Sequence, residues 1–133
     1  MEAATLLAAQ VGLIVETRAA TGELDRSATG FVEPDEHERL ADECFASPHR
    51  SAAGWERAVD AQRRIVAALD DTFSLDETSD VAVVGHGGVG TLWWCHLAGE
   101  PISRRWDQPG QGHYIVVDRA SRRPLQHWTP IEV

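Results

Sequence analysis

The stretch of the chain best suited to chemistry is residues 81–99, VAVVGHGGVGTLWWCHLAG, in which an apolar run precedes His86 and nearby glycines. This pattern predicts a buried strand that delivers His86 to the first turn of a helix, where the imidazole faces a ligand. Glycines let the backbone approach a ligand closely, and a helix N-terminus offers unpaired N–H groups and positive dipole potential. We therefore predict an anion site, suited to phosphate, with Gly87 and Gly88 among the binding residues.

Two other motifs overlap the same glycines. Gly85, Gly87 and Gly90 fit the G-x-G-x-x-G pattern of dinucleotide-binding turns. That pattern is followed by a second strand with an acidic residue about twenty positions later, whereas residues 107–112 read as a loop. A dinucleotide-binding fragment remains the third hypothesis for function. A lipase-like oxyanion loop is excluded because no G-x-S-x-G sequence accompanies residues 86–88.

Helices and short strands must position this segment. Helix propensity and apolar residues at three- and four-residue steps predict helices over residues 2–11, 34–46, 51–73 and 87–99. Pro34 suits a first helical turn and Ser51 an N-cap. Short apolar runs predict strands at residues 13–15, 81–84, 113–117 and 125–128. This order of elements predicts an α/β layered domain.

Two polar regions have different expected roles. The loop over residues 21–33 is long and carries two glycines, and long ordered loops in compact domains are usually functional. On the third predicted helix, Arg57, Arg63 and Arg64 are expected to form a solvated face rather than a site.

Composition bounds the remaining possibilities. The 133 residues suffice for one domain over residues 1–133 and are too few for two. A formal net charge of −9 makes nucleic acid an unsuitable partner. All basic residues are arginine, so no lysine chemistry is available, and two cysteines form no zinc or disulfide pattern. No apolar run is long enough to span a membrane, and the N-terminus lacks a basic leader, so we expect a cytoplasmic protein.

Several motifs carry a more specific resemblance. The segment Gly85-His86-Gly87-Gly88-Val89 resembles the second-histidine motif of the histidine phosphatase superfamily, whose members are phosphoglycerate-mutase-like. The similarity extends over essentially the whole chain and is to one bacterial branch of the superfamily. The further segments that carry it are residues 22–31, 54–56, 60–62, 101–104, 107–110 and 112–114. The resemblance implies a three-layer fold in which helices cover both faces of a mostly parallel sheet.

The family likeness also implies roles for individual residues. His86 matches the second histidine, which donates hydrogen bonds to phosphoryl oxygens during transfer. Glu23 matches the acidic group that protonates the leaving oxygen, with Asp25 as the alternative. Neither a metal nor an organic cofactor is implied.

Further residues are expected around the substrate. Arg26 and Ser27 lie beside the acidic donor in sequence and are candidates for substrate binding. His113 follows a glycine loop, and either borders the pocket or supports a turn. Arg26 and Arg104 are expected to supply positive charge to an anion pocket in an otherwise acidic protein.

Compared with the family pattern, the chain is expected to lack two groups, namely the nucleophilic histidine with its adjacent arginine and a second conserved arginine. The family's nucleophile is the histidine of an Arg-His-Gly motif, and this sequence contains no Arg-His-Gly. We therefore expect a chain that lacks the family's first strand and helix, with weak or no activity by itself. Exposed sheet edges and five tryptophans are expected to favour self-association.

The leading hypothesis is phosphomonoester hydrolysis, or phosphoryl transfer, on a small phosphorylated metabolite. The second is a non-catalytic remnant that binds a phosphate ligand, inorganic phosphate included, or a partner. Binding without turnover would separate the second hypothesis from the first.

Overall fold

The computed structural model describes residues 2–75 and 78–132. Its regular elements, in chain order, are helices α1 (Glu2–Val11), α2 (Pro34–Ala46), α3 (Ala58–Ser74) and α4 (Gly87–Ala98), then strands β1 (His113–Val117) and β2 (Pro124–Pro130). Short 3-10 turns lie at Ala19–Thr21 and Arg104–Trp106. The predicted helices at residues 2–11, 34–46 and 87–99 and the two C-terminal strands are confirmed.

Helix α3 begins later than the sequence predicted. Ser51 does not cap it, because its hydroxyl donates a hydrogen bond to the carbonyl oxygen of Trp55 at 2.6 Å. Ala53 and Gly54 follow with φ of 48° and 84°, and a right-handed helix cannot continue through such angles. A Cβ on Gly54 would also lie 2.8 Å from the Cβ of Ala28, so this turn packs directly against the loop of residues 21–33. The helix therefore begins only at Ala58.

The core lies among α2, α3 and α4. Apolar residues at helical spacing on α3 face buried residues of α4, and the most deeply buried large side chains of this cluster include Leu40, Cys44, Val89 and Leu92. Helix α4 also packs against β2, since a Cβ on Gly90 would lie 2.9 Å from the ring of Trp128. None of the helices formed by residues 2–75 and 78–132 is both long and apolar enough to cross a bilayer.

The sheet is smaller than expected. Strands β1 and β2 form an antiparallel pair, with His113 opposite Pro130 and Val117 opposite Pro124. This pair is the whole sheet within the described part of the chain, so the structure is α/β in composition, and its sheet is antiparallel there instead of mostly parallel.

The two predicted buried strands at residues 13–15 and 81–84 are absent. Neither segment pairs with another described strand, and most of their side chains are exposed, with Ile14 at 94% and Val81, Val83 and Val84 between 41% and 46%. A strand satisfies its backbone only with a neighbour, and no described element supplies one here.

Tryptophan is not the source of exposed apolar surface. Trp55, Trp93 and Trp94 are buried, and Trp106 and Trp128 are half-buried. The five tryptophans, which were expected to favour self-association, therefore expose little aromatic area, and the exposed apolar surface is mostly aliphatic.

Candidate phosphate site

A cavity of about 290 Å³ lies at the N-terminus of α4. Its wall is formed by α2, by the loop that follows the first 3-10 turn, and by residues between Arg104 and Gln111. Five residues predicted from the sequence line it, namely Glu23, Arg26, Gly87, Gly88 and Arg104. The cavity therefore joins segments that are more than sixty positions apart in sequence.

The Glu23 carboxylate sits directly on the helix N-terminus. Its oxygens accept hydrogen bonds from the backbone N–H groups of Gly88 and Val89, each at 3.0 Å, and from that of Leu24 at 2.9 Å. The approach depends on Gly88, because a Cβ there would lie 2.6 Å from the Glu23 Oε1. The first turn of α4 thus binds an anionic group from within the protein.

Arg26 brings positive charge to the same cavity. Its guanidinium hydrogen-bonds with His37 Nε2 and lies over the ring of Trp55, 5.6 Å from the centroid. Among the described residues it forms no ion pair with a carboxylate, so its charge is available to an anionic ligand.

Arg104 also lines the cavity, but its charge is already compensated. The guanidinium pairs with Asp107 at 2.7 Å, with Asp42 at 2.8 Å and with Glu38 at 2.9 Å. Burial opposes its charged form, yet the hydrogen bonds to these three carboxylates outweigh burial and raise the pKa of Arg104. The expectation that Arg104 supplies positive charge to an anion is therefore not supported, and its role is to tie α2 to the 3-10 turn at Arg104–Trp106.

Arg64, predicted to face solvent, is turned toward the loop that carries Glu23. It donates hydrogen bonds to the carbonyl oxygens of Ala20 and Gly22, each at 2.9 Å, and of Glu23 at 3.3 Å. It also forms two hydrogen bonds with Glu56, at 2.9 and 2.8 Å. Arg64 lies three residues after Ala61 and four before Ala68, which are both buried on α3. This helical spacing was the sequence signal that Arg64 borders the buried face of the helix.

Glu56 also holds the loop that carries Glu23 by hydrogen bonds. Its carboxylate accepts the backbone N–H of Asp25 at 3.1 Å, and its own N–H donates to the Asp25 carbonyl oxygen at 2.8 Å. The hydrogen bonds from Arg64 are the main cause of a lowered pKa of Glu56, against an opposing effect of burial. Glu56 belongs to the motif 54–56, but its role as a support for the Glu23 loop was not predicted.

A comparison with models of known protein families finds a match. The model of the histidine phosphatase superfamily (branch 1) matches residues 1–128. The chain belongs to the histidine phosphatase superfamily. No curated protein matches it.

His86, the candidate second histidine of this superfamily domain, is the N-cap of α4. Its carbonyl oxygen accepts the N–H of Gly90 at 3.0 Å, while its side chain is exposed and hydrogen-bonds to no other described residue. It stands at the edge of the cavity at the α4 N-terminus and does not line it.

Asp25, Ser27 and His113 also lie outside the cavity lining. The Asp25 carboxylate accepts the Ser27 N–H at 2.9 Å within a turn, and the hydrogen bonds from Ser27 lower the pKa of Asp25. His113 Nδ1 donates to the Gly110 carbonyl oxygen at 2.8 Å. Gly110 lines the cavity, so His113 supports its rim by way of this loop.

Two further motifs can be placed. A Cβ on Gly87 would lie 2.6 Å from the Gln108 Oε1, so the Gln108 side chain packs against the N-terminus of α4. This contact of Gln108 was not predicted from the sequence. The second strand expected of a dinucleotide-binding turn is absent from residues 99–112, which form a 3-10 turn and loops. In the described part of the chain, no three His, Cys, Asp or Glu side chains are placed so that they could hold a metal ion together.

Proposed function

We propose that the chain binds a small phosphomonoester, with its phosphoryl group at the N-terminus of α4, as a phosphatase or mutase of the histidine phosphatase superfamily does. One observation carries the proposal: the N–H groups of Gly88 and Val89 already hold the two oxygens of the Glu23 carboxylate. A phosphoryl group offers the same kind of anionic oxygens, and Arg26 adds a cation without a carboxylate partner in the same cavity.

In this proposal the ligand displaces the Glu23 carboxylate from α4. Glu23 then lies beside the phosphoryl group, where a protonated carboxyl would donate its proton to the leaving oxygen. His86, at the N-cap, would donate a hydrogen bond to a phosphoryl oxygen as charge develops. No described residue is assigned as the nucleophile, and since the sequence has no Arg-His-Gly we expect weak or no turnover by this chain.

The second candidate is phosphate binding without catalysis. It is favoured by the exposed side chain of His86, which makes no hydrogen bond to another described residue. It is also favoured by the hydrogen bonds in which the Glu23 carboxylate accepts three backbone N–H groups, those of Leu24, Gly88 and Val89.

The test is calorimetric titration of the purified chain with inorganic phosphate, followed by turnover assays on a panel of phosphomonoesters. We expect Arg26→Met to weaken phosphate binding by about tenfold or more, since a charged hydrogen bond is lost. Arg105→Met is the matched control, because Arg105 also lies over a tryptophan ring, that of Trp106, but outside the cavity. Absence of phosphate binding would overturn both candidates, and binding without turnover would select the second.

We also propose that the exposed apolar segments at residues 13–15 and 81–84 favour self-association of the chain. Their exposed aliphatic side chains support this proposal, as does the fact that neither segment pairs with another strand among the described residues. Sedimentation velocity over a range of concentrations tests it, and a chain that stays monomeric at high concentration would refute it.

A further inference from the structure

A second cavity, of about 450 Å³, lies next to the cavity at the N-terminus of α4. Arg26, His37 and Trp55 line both cavities and form their common wall. A ligand with its phosphoryl group at α4 and near Arg26 would therefore extend its remaining part into the second cavity.

Phe31 is the unusual residue of this second cavity. It lines the cavity although 89% of its surface is exposed, more than that of most apolar residues in the described chain. An aromatic side chain held in water beside a concave surface is typical of a ligand-binding site.

The backbone, not side-chain packing, sets the position of Phe31. The preceding turn is closed by hydrogen bonds from Thr29 N–H to the Arg26 carbonyl oxygen at 3.2 Å and from Gly30 N–H to that of Ser27 at 3.3 Å. The turn is fixed to the cavity wall because Trp55 Nε1 donates to Thr29 Oγ1 at 2.8 Å. Gly30 then adopts a φ of +63°, a conformation that directs the chain outward at Phe31.

Glu38 and His37, which line the second cavity, already have polar partners. The Glu38 carboxylate forms an ion pair with Arg104 at 2.9 Å and lies 3.5 Å from His37 Nδ1. The His37 ring packs against Trp55 with 5.6 Å between centroids. What the second cavity offers a ligand is therefore aromatic surface, from Phe31, His37 and Trp55.

We propose that the chain selects phosphomonoesters whose leaving group carries an aromatic ring, and that this ring binds in the second cavity against Phe31. This inference rests on the proposed function, because it takes the phosphoryl group to bind at the α4 N-terminus. Arg26 lies between the two subsites and contacts the phosphoryl group, while the ring stacks on the aromatic wall.

The experiment compares the affinities of phenyl phosphate, 1-naphthyl phosphate and glycerol phosphate by calorimetric titration. These ligands share the phosphoryl group and differ in the leaving group. We expect both aryl phosphates to bind at least about tenfold more tightly than glycerol phosphate, as the burial of one ring predicts. Phe31→Ala should abolish this preference by weakening the binding of both aryl phosphates, whereas Phe31→Trp should retain the preference.

Leu75→Ala is the control, because Leu75 is also apolar and 70% exposed but lies outside both cavities. Equal affinities for aryl and glycerol phosphates, or a preference that survives Phe31→Ala, would overturn this inference and leave the proposed function standing. If no phosphate compound binds, the proposed function fails, and the inference fails with it. Because Phe31 is exposed, its replacement leaves the core intact.

Discussion

The two candidate catalytic groups are supported very differently. Glu23 belongs to a segment, residues 19–30, whose carbonyl groups are held by Arg64 and whose carboxylate is held by the N-terminus of α4. His86 follows residues 81–85, which are exposed and form no backbone hydrogen bond with another described residue. The placement of a functional side chain therefore depends on how its backbone is held, and here only the Glu23 segment is held on several sides.

The largest effect is expected from breaking the support of the Glu23 segment. Arg64→Met removes five hydrogen bonds, three to the segment and two to Glu56, and should lower the free energy of unfolding by about 2–4 kcal/mol. Arg63→Met is the matched control, because the Arg63 side chain is 74% exposed and, among residues 2–75 and 78–132, its one ion pair is with Asp60. Urea denaturation measures both changes, and equal losses for the two variants would show that the support is not specific.

A smaller change is expected from freeing the N-terminus of α4. Glu23→Ala removes the carboxylate that occupies the N–H groups of Gly88 and Val89, so inorganic phosphate should bind about tenfold more tightly, or about 1.4 kcal/mol. Glu16→Ala removes an exposed carboxylate outside the cavity and serves as the control. Weaker phosphate binding by the Glu23 variant would mean that Glu23 helps to bind the ligand instead of competing with it.

The pH dependence of stability should reveal the Arg64–Glu56 pair. Because the pKa of Glu56 is lowered in the folded state, its stabilisation is present above the ordinary value of 4.5 and is lost as the pH falls through the folded pKa. Below about pH 4.5, the free energy of unfolding of Glu56→Gln should therefore fall less steeply with decreasing pH than that of the wild type. The difference between the two losses should be roughly 1 kcal/mol or less. The nearby Asp25 carboxylate opposes this lowering of the Glu56 pKa, so Asp25→Asn in a chain that keeps Glu56 tests whether Asp25 contributes. Identical slopes for wild type and the Glu56 variant would rule out the pair as the cause.

The smallest effect is expected in the segment before His86. Val83→Thr keeps the shape of the side chain and should change the free energy of unfolding by less than about 0.5 kcal/mol, because Val83 is exposed. Val89→Thr makes the same replacement at a buried position of α4 and should cost about 1–3 kcal/mol. Thermal unfolding of the two variants compares them, and a large loss for Val83→Thr would show that this segment is packed in solution.

Local sequence patterns predicted the helices well but could not distinguish the strands. The runs at residues 81–84 and 113–117 are both short and apolar. Only the second has a partner nearby in sequence, since the turn closed by Asp118 N–H and the Arg123 carbonyl oxygen brings β2 beside it. A run that needs a distant partner cannot be assigned to a strand from its own pattern.

In the candidate site, too, some features were predicted from local sequence and others depend on residues that are distant in sequence. The motifs around Glu23 and Gly88 predicted that these residues share a site, and they do line one cavity. The pattern of α3 did not show that Arg64 would turn toward the Glu23 loop, because an arginine at the edge of a buried face also fits solvent. Arg104 was predicted to supply positive charge to an anion pocket, but Glu38 and Asp42 on α2, far from it in sequence, compensate its charge.

By itself the sequence determined the family, the four helices in outline and the glycine-rich start of α4, because these depend on residues that are close along the chain. The tertiary structure decided which charges remain without a partner and which apolar residues remain exposed. It holds Glu23 on α4, compensates Arg104, leaves Arg26 without a carboxylate among the described residues, and presents Phe31 to solvent beside the second cavity. The physical reason is that a charge or an apolar surface is compensated by whatever packs against it, and that neighbour is set by the fold.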